Sequence, residues 1–316
     1  MKITRREFIP IAAGAAMAGC STPHSPDLPG ASVVSVIKAA SYSVELAQRI
    51  LEGAKACGLN VRGKRVLLKP NLVEFDKSTS INTDVSVLAA SLEVMHQLGA
   101  AEVKIGEGPG HRRDTIGIAE EASYRQSLTG FDKLFVDLNR DDVSPVGPFG
   151  GHSQFYFPNA ALGADVIVSV AKMKTHHWAG ATLSMKNFFG TVPGSLYGWP
   201  KNVLHHIGIE RSILELQRVF KNRFAIVDGI VGMEGNGPIQ GTPVNSGVLV
   251  MGHDLVAVDA TCCRLMGIDP EKVGYLAGAT HLGHLEPDRI EQRGENISGL
   301  QKPYQLMSDF RNLRLA

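Results

Sequence analysis

The chain has 316 residues, 44% of them hydrophobic, with 34 glycines and 16 prolines. That is length enough for one large domain or two packed lobes around a sizeable core. A formal net charge of +1 and an aromatic content of 6% argue against the basic, aromatic-studded surface that a nucleic-acid partner requires.

Residues 1–19 read as a signal peptide. Lys2, Arg5 and Arg6 precede Phe8, and residues 9–18 form a short apolar run rich in Ala and Gly. The run is too short to cross a hydrocarbon core of about 30 Å as a helix, so it reads as the apolar part of an export signal. The Arg-Arg-x-Phe core resembles a twin-arginine signal, which makes the folded-protein export machinery an expected partner. Met17-Ala18-Gly19-Cys20 resembles a lipobox, with Met17 where leucine is usual, and makes Cys20 the expected lipidation site. The expected location is the periplasmic or cell-envelope face, with the chain held to the membrane by its lipid. Residues 20–30, rich in Pro and Ser, read as a tether. Beyond Cys20 only Cys57, Cys262 and Cys263 remain. Their spacing suits neither a disulfide framework nor an iron–sulfur cluster, and buried thiols are expected.

Strand and helix patterns then alternate. Residues 33–37 read as a strand, 43–57 as a helix and 64–69 as a strand. Residues 84–98 read as a helix capped from within 82–84 and ended at Gly99, and 102–105 as a strand. A helix over 115–128 and a strand over 133–137 complete a first α/β lobe, taken as 31–150. The less regular stretch 138–160 joins it to a second, taken as 151–316. That lobe has a buried strand over 164–171, helices over 182–189 and 203–220, strands over 224–228 and 247–251, and a helix over 255–266. The polar tail beyond Pro287 carries no clear pattern. Repeated β-α units predict an α/β fold with a mostly parallel sheet flanked by helices, arranged as two packed Rossmann-like lobes.

In such a sheet ligands collect at the carboxyl ends of the strands, and four of those ends are rich in polar groups. The first is Lys69-Pro70-Asn71, a cation and an amide at a stiff strand exit. The second is the glycine-rich loop 106–110, where Gly108 would let the backbone approach a ligand. Its spacing matches neither a dinucleotide nor a triphosphate loop. The third is the densest, with Lys172, Lys174 and His176 on one face if the strand stays extended, followed by Lys186 and Asn187. Cations beside an imidazole suit a carboxylate or phosphate substrate, with His or Lys moving a proton. The fourth holds Asp228, Glu234 and Asn236, oxygen donors able to join His176 around a divalent metal or to complement the lysines. Asp254 is placed to cap the following helix. His205 and His206 diverge, and His281 and His284 lack a third ligand, so all four read as surface residues.

The segments VLLKPNLV (66–73), KIGEGPG (104–110), KMKTHHWAGATLSMKNFFG (172–190), IVDGIVGMEGNGPIQG (226–241) and HDLVAVDATCCRLMGIDP (253–270), in that order, resemble the family named domain of unknown function 362 over residues 33–280. Some members of that family carry ferredoxin iron–sulfur motifs, which this chain lacks. The resemblance marks Lys69, Asn71, Lys174, His176, Lys186, Asn187, Asp228, Glu234, Asn236 and Asp259 as motif positions. The sequence thus predicts an enzyme acting on a small anionic substrate. Lys174, His176, Lys186 and Asp228 would be catalytic, Lys69, Asn71, Gly108, Asn187 and Asn236 would bind, and His176, Asp228 and Glu234 would hold a metal. The alternatives are a non-catalytic metal- or anion-binding lipoprotein, or an accessory lipoprotein whose polar groups knit the lobes together.

Overall fold

The computed structural model describes residues 30–42, 45–111 and 114–315. The export signal, Cys20 and most of the tether lie outside the described residues. The framework is one nine-stranded mixed sheet covered by helices on both faces. In chain order its strands are β1 (Ser32–Lys38), β2 (Arg65–Pro70), β3 (Glu102–Glu107) and β4 (Phe135–Asp137). After a separate two-stranded sheet of β5 (Val143–Val146) and β6 (Phe155–Pro158) come β7 (Val166–His176) and β8 (Gly180–Thr182). The last three are β9 (Arg223–Asn236), β10 (Gln240–Gly252) and β11 (Ile290–Gly294). The order across the sheet is β11-β1-β10-β9-β7-β2-β3-β4, with β8 pairing onto the end of β7. From β9 to β4 every pairing along this path is parallel, as the β-α repeats require. β2 pairs directly with β7, so the sheet runs unbroken across the boundary drawn at residues 150/151.

The longer helices are α1 (Leu46–Ala56), α2 (Val85–Gln97), α3 (Thr115–Glu121), α4 (Ile209–Val219) and α5 (Leu255–Leu265). Alternation of side chains along the strands sorts the core into two layers. Val66, Leu68, Val168, Val170 and Ile226 pack with Ile50 of α1 and with Val87 and Val94 of α2. Leu67, Ile167, Ala171 and Val227 pack on the other side with Leu216 of α4 and most of α5. Every residue of β7 is buried, both the apolar run expected through Ala171 and the polar residues beyond it. At roughly 1.5–3 kcal/mol per large apolar side chain removed from water, this central strand anchors both layers. Cys57, Cys262 and Cys263 are buried free thiols, and the Asp254 carboxylate caps α5 through Val256 and Ala257 N–H.

Several elements differ from the sequence pattern. The helix expected over 182–189 is instead the end of β8 followed by a 3₁₀ turn, Lys186–Thr191. The buried Asp259 carboxylate takes the backbone N–H groups of Ser184 and Met185, and these donors are held where a regular helix would have turned them inward. The expected helix 203–220 is split at Gly208, and 115–128 is interrupted at Ser123, both residues having positive φ. The glycine-rich segment after Asp228 does not leave the sheet. It continues as β9 to Asn236 and returns as β10. The tail supplies the edge strand β11, parallel to β1.

Candidate functional site

The carboxyl ends of β2, β3, β7 and β9 surround a cavity of about 920 Å³. Of the residues singled out in the sequence, Asn71, Gly108, Lys174, His176, Lys186, Asn187 and Asn236 line it. The extended course of β7 does place Lys172, Lys174 and His176 in succession on one strand. A lysine ammonium has three protons to donate, and where those protons go separates the lysines by task.

Lys69 is buried and donates to Glu107 Oε1, the Pro70 carbonyl and Asn187 Oδ1. Burial pushes its ammonium below the usual lysine range, against the pull of Glu107. Asn187 returns its amide protons to the Lys69 carbonyl and Ser169 Oγ. Lys174 is equally spent: Nζ donates to Asn71 Oδ1 and Ile81 O at 2.8 Å each and to Pro238 O at 3.3 Å. Burial, and then the charges of Lys186 and Lys172, depress its pKa strongly. Lys69 and Lys174 therefore brace the cavity by tying strand ends and loops together, which corrects the expectation that Lys174 is free to clamp a ligand.

Lys186 differs. It is half-buried, makes no hydrogen bond or ion pair among the described residues, and lies 4.6 Å from the centroid of the Phe189 ring. Burial pushes its pKa down to about 8. Lys201, which no sequence motif marks, is buried in the wall. It donates to the Gly108 and Phe189 carbonyls, which leaves one proton unassigned, and burial pushes it down to about 7. Gly108 is required here, since a Cβ would stand 2.7 Å from Asn139 Oδ1 and 2.8 Å from the Gly190 carbonyl. Two buried polar atoms of lining residues, Glu107 Oε2 and Thr182 Oγ1, have no hydrogen-bond partner among the described residues. Such atoms are rare in native interiors and mark places for a ligand or water.

His176 Nδ1 accepts the backbone N–H groups of Trp178 (2.9 Å) and Ala179 (3.2 Å). A nitrogen that accepts cannot carry the hydrogen, so the ring is neutral with its hydrogen on Nε2. Burial first, and then Lys186, hold its pKa far below the usual imidazole range. His176 is a fixed donor to the cavity. His177, Trp178 and His205 line it too, with Trp178 60% exposed and edge-on to both His177 and His205.

The acidic residues part company from this group. Asp228 is fully buried but does not line the cavity. It pairs with Lys172 Nζ at 2.8 Å and accepts from Tyr42 Oη, Asp84 N and Ile230 N at the start of α2. Asp228 thus stands apart from the other expected catalytic residues, which line the cavity. Glu234 accepts from Gln305 N in a partly exposed position, and Asn236 bonds Gln240 on the hairpin surface. His176, Asp228 and Glu234 therefore do not form the expected metal site: His176 has its Nδ1 occupied and Asp228 is sealed by Lys172. Among the described residues no three His, Cys, Asp or Glu side chains group so as to hold a metal ion. Asp259, buried against Ser184 and Met185 with its pKa raised to about 7 by burial, positions the turn that carries Lys186 and Asn187. Glu107 could have been flagged from its own strand end, in the same loop as Gly108. Lys201 gives no signal, since it follows no pattern and owes its place to a left-handed backbone (φ 66°).

Comparison with known proteins finds similarity in sequence and in fold. A thylakoid-associated protein of Synechocystis sp. is 28% identical over 268 residues, covering 82% of this chain and 81% of that protein. The lactate racemase apoprotein of Thermoanaerobacterium thermosaccharolyticum is 15% identical with a TM-score of 0.49. The alignment covers 76% of this chain and spans 59% of the racemase. A structure from Thermotoga maritima matches at 15% identity and a TM-score of 0.39, over 70% of this chain and 58% of that one. The model for the domain of unknown function DUF362 matches residues 66–264, and on that extent the chain belongs to the DUF362 family.

Proposed function

We propose that this protein is an exported, lipid-anchored enzyme that binds a small anion, a carboxylate or a phosphate, in the cavity at the strand ends. The observation that carries the reading is the contrast among the lysines. Lys69 and Lys174 are saturated by protein acceptors, whereas Lys186 and Lys201 reach the same cavity with donors to spare. His176 adds a neutral Nε2–H. Unspent donors around a partly dehydrated space are what an anion needs. Lysines brought close to neutrality by burial are also suited to proton transfer, which favours an enzyme over a passive receptor. A metal-assisted route has no matching support, since its three expected ligands are spent or apart.

Isothermal titration of the purified chain with inorganic phosphate and a panel of small mono- and dicarboxylates tests this. Saturable binding that is lost in Lys186→Met supports the reading. If none of these anions binds, or if Lys186→Met binds as the wild type does, the reading fails. Following the bound compounds by NMR then separates turnover from simple capture. For the anchor, metabolic labelling with a fatty-acid analogue should mark the wild type and not Cys20→Ala. Among the described residues no helix is long and apolar enough to cross a membrane.

A further inference from the structure

The two adjacent histidines at the end of β7 face opposite kinds of backbone group through their Nδ1 atoms. His176 Nδ1 faces two N–H donors, so that ring carries its hydrogen on Nε2. His177 Nδ1 faces a carbonyl, Gly237 O, at 2.7 Å. A carbonyl only accepts, so Nδ1 of His177 must carry the hydrogen, and in the neutral ring Nε2 is left as a bare lone pair. The Gly237 carbonyl is not free to move away. It also accepts His177 N–H at 3.0 Å, and a Cβ on Gly237 would stand 2.1 Å from the Thr175 carbonyl, so the β9–β10 turn is pressed directly onto β7. The rings stack with centroids 4.8 Å apart, and both residues line the cavity. One thus supplies a hydrogen-bond donor and its neighbour, in the neutral form, a nitrogen that can accept a proton.

We propose that His177 is the proton acceptor of this site, an inference that rests on the cavity being the anion site. In the step it performs, an O–H, N–H or activated C–H bond of the bound anion breaks and an N–H bond forms at His177 Nε2. The electron pair stays on the substrate atom. The added negative charge is met by the unspent donors of Lys186, Lys201 and His176, and the imidazolium is steadied through Nδ1–H by the Gly237 carbonyl. A base oriented through its second nitrogen is the arrangement general-base histidines use. No further reactant is needed, because the proton returns to substrate or solvent at the end of the cycle.

The test uses the full chain labelled with ¹⁵N-histidine. Long-range ¹⁵N–¹H spectra at alkaline pH should show His177 with its hydrogen on Nδ1 and His176 with its hydrogen on Nε2. Diethyl pyrocarbonate, which acylates unprotonated imidazole nitrogens, should label His177 at least about tenfold faster than His176, and inorganic phosphate should slow that labelling. Lys186→Met should keep both tautomers and lose the protection by phosphate. An Nε2–H tautomer at His177, or labelling of His177 no faster than of His176, overturns the proposal. Both readings of His177 are made without ligand. A failure of phosphate to bind the wild type would therefore strike the anion site and leave the tautomer result to be judged separately.

Discussion

Two buried lysines, Lys172 and Lys201, show what distinguishes structure from site in this protein. Around Lys172, at the start of α2, every charge is answered. Its ammonium meets Asp228 and the Tyr42 hydroxyl, and Asp228 in turn accepts from Asp84 N and Ile230 N. Around Lys201 and Lys186 the acceptors are carbonyls and a ring face, and no carboxylate pairs with either among the described residues. Both regions arise at strand ends and both are rich in lysine. The difference lies in the unspent donors, which a residue count cannot reveal. Burying a charge without a partner is costly, so the lysine-rich wall of the cavity is sustained against a penalty that a bound anion would relieve.

The sharpest way to break this comparison is at Asp228. Removing one member of a buried ion pair strands the other, and Asp228→Ala should lower stability by about 3–5 kcal/mol, read from urea unfolding. A stable Asp228→Ala protein that had lost anion binding would return Asp228 to the site. Next comes Lys174→Met, which deprives Asn71 Oδ1 and two carbonyls of their donor. A loss of about 2 kcal/mol is expected, with the unfolding slope unchanged. If stability held and anion affinity fell instead, Lys174 would belong with Lys186. On the other side of the comparison, Lys186→Met removes a donor with no protein acceptor. Stability should not fall, since no protein acceptor is lost and the buried ammonium is itself costly, while phosphate affinity falls about tenfold to a hundredfold, the worth of one charge-assisted hydrogen bond.

The sequence made the framework legible because its signals are local. The apolar run of β7, the helical spacing of α1 and α2, and the Asp84 and Asp254 caps are all properties of neighbouring residues, and the structure has each of them. Lys69, Asn71, Lys174, His176, Lys186 and Asn187 were legible as a group for the same reason, since strand ends of a parallel sheet converge. Their division of labour was not, because it depends on partners far along the chain: Ile81 and Pro238 for Lys174, Glu107 for Lys69, Lys172 for Asp228. Asp228 sat at the right strand end and on the wrong side of it. A residue's parity along a strand decides its face, and β9 continues the alternation of Phe224 and Ile226 into the α2 layer. Lys201 was illegible altogether, placed by a positive φ and a carbonyl of β3's exit loop rather than by any pattern.

The remaining effect is read first on the wild type, without a mutation. Burial lowers Lys201 to about 7 and Lys186 to about 8, while an unfolded lysine titrates near ~10.4. Between these values the folded chain binds fewer protons than the unfolded one, so their burial costs stability at low pH and that cost is relieved as pH rises from about 7 upward. Anion affinity should run the other way, because the ligand needs the charged lysines. Sulfate keeps a constant charge over this range, so its affinity should fall as pH rises through about 7 and then about 8. The double variant Lys186→Met, Lys201→Met should bind it weakly and without that slope. If sulfate affinity in the wild type were flat across the window, the open lysines would not be the anion's partners. The cavity wall would then be as self-contained as the ion pair beneath α2.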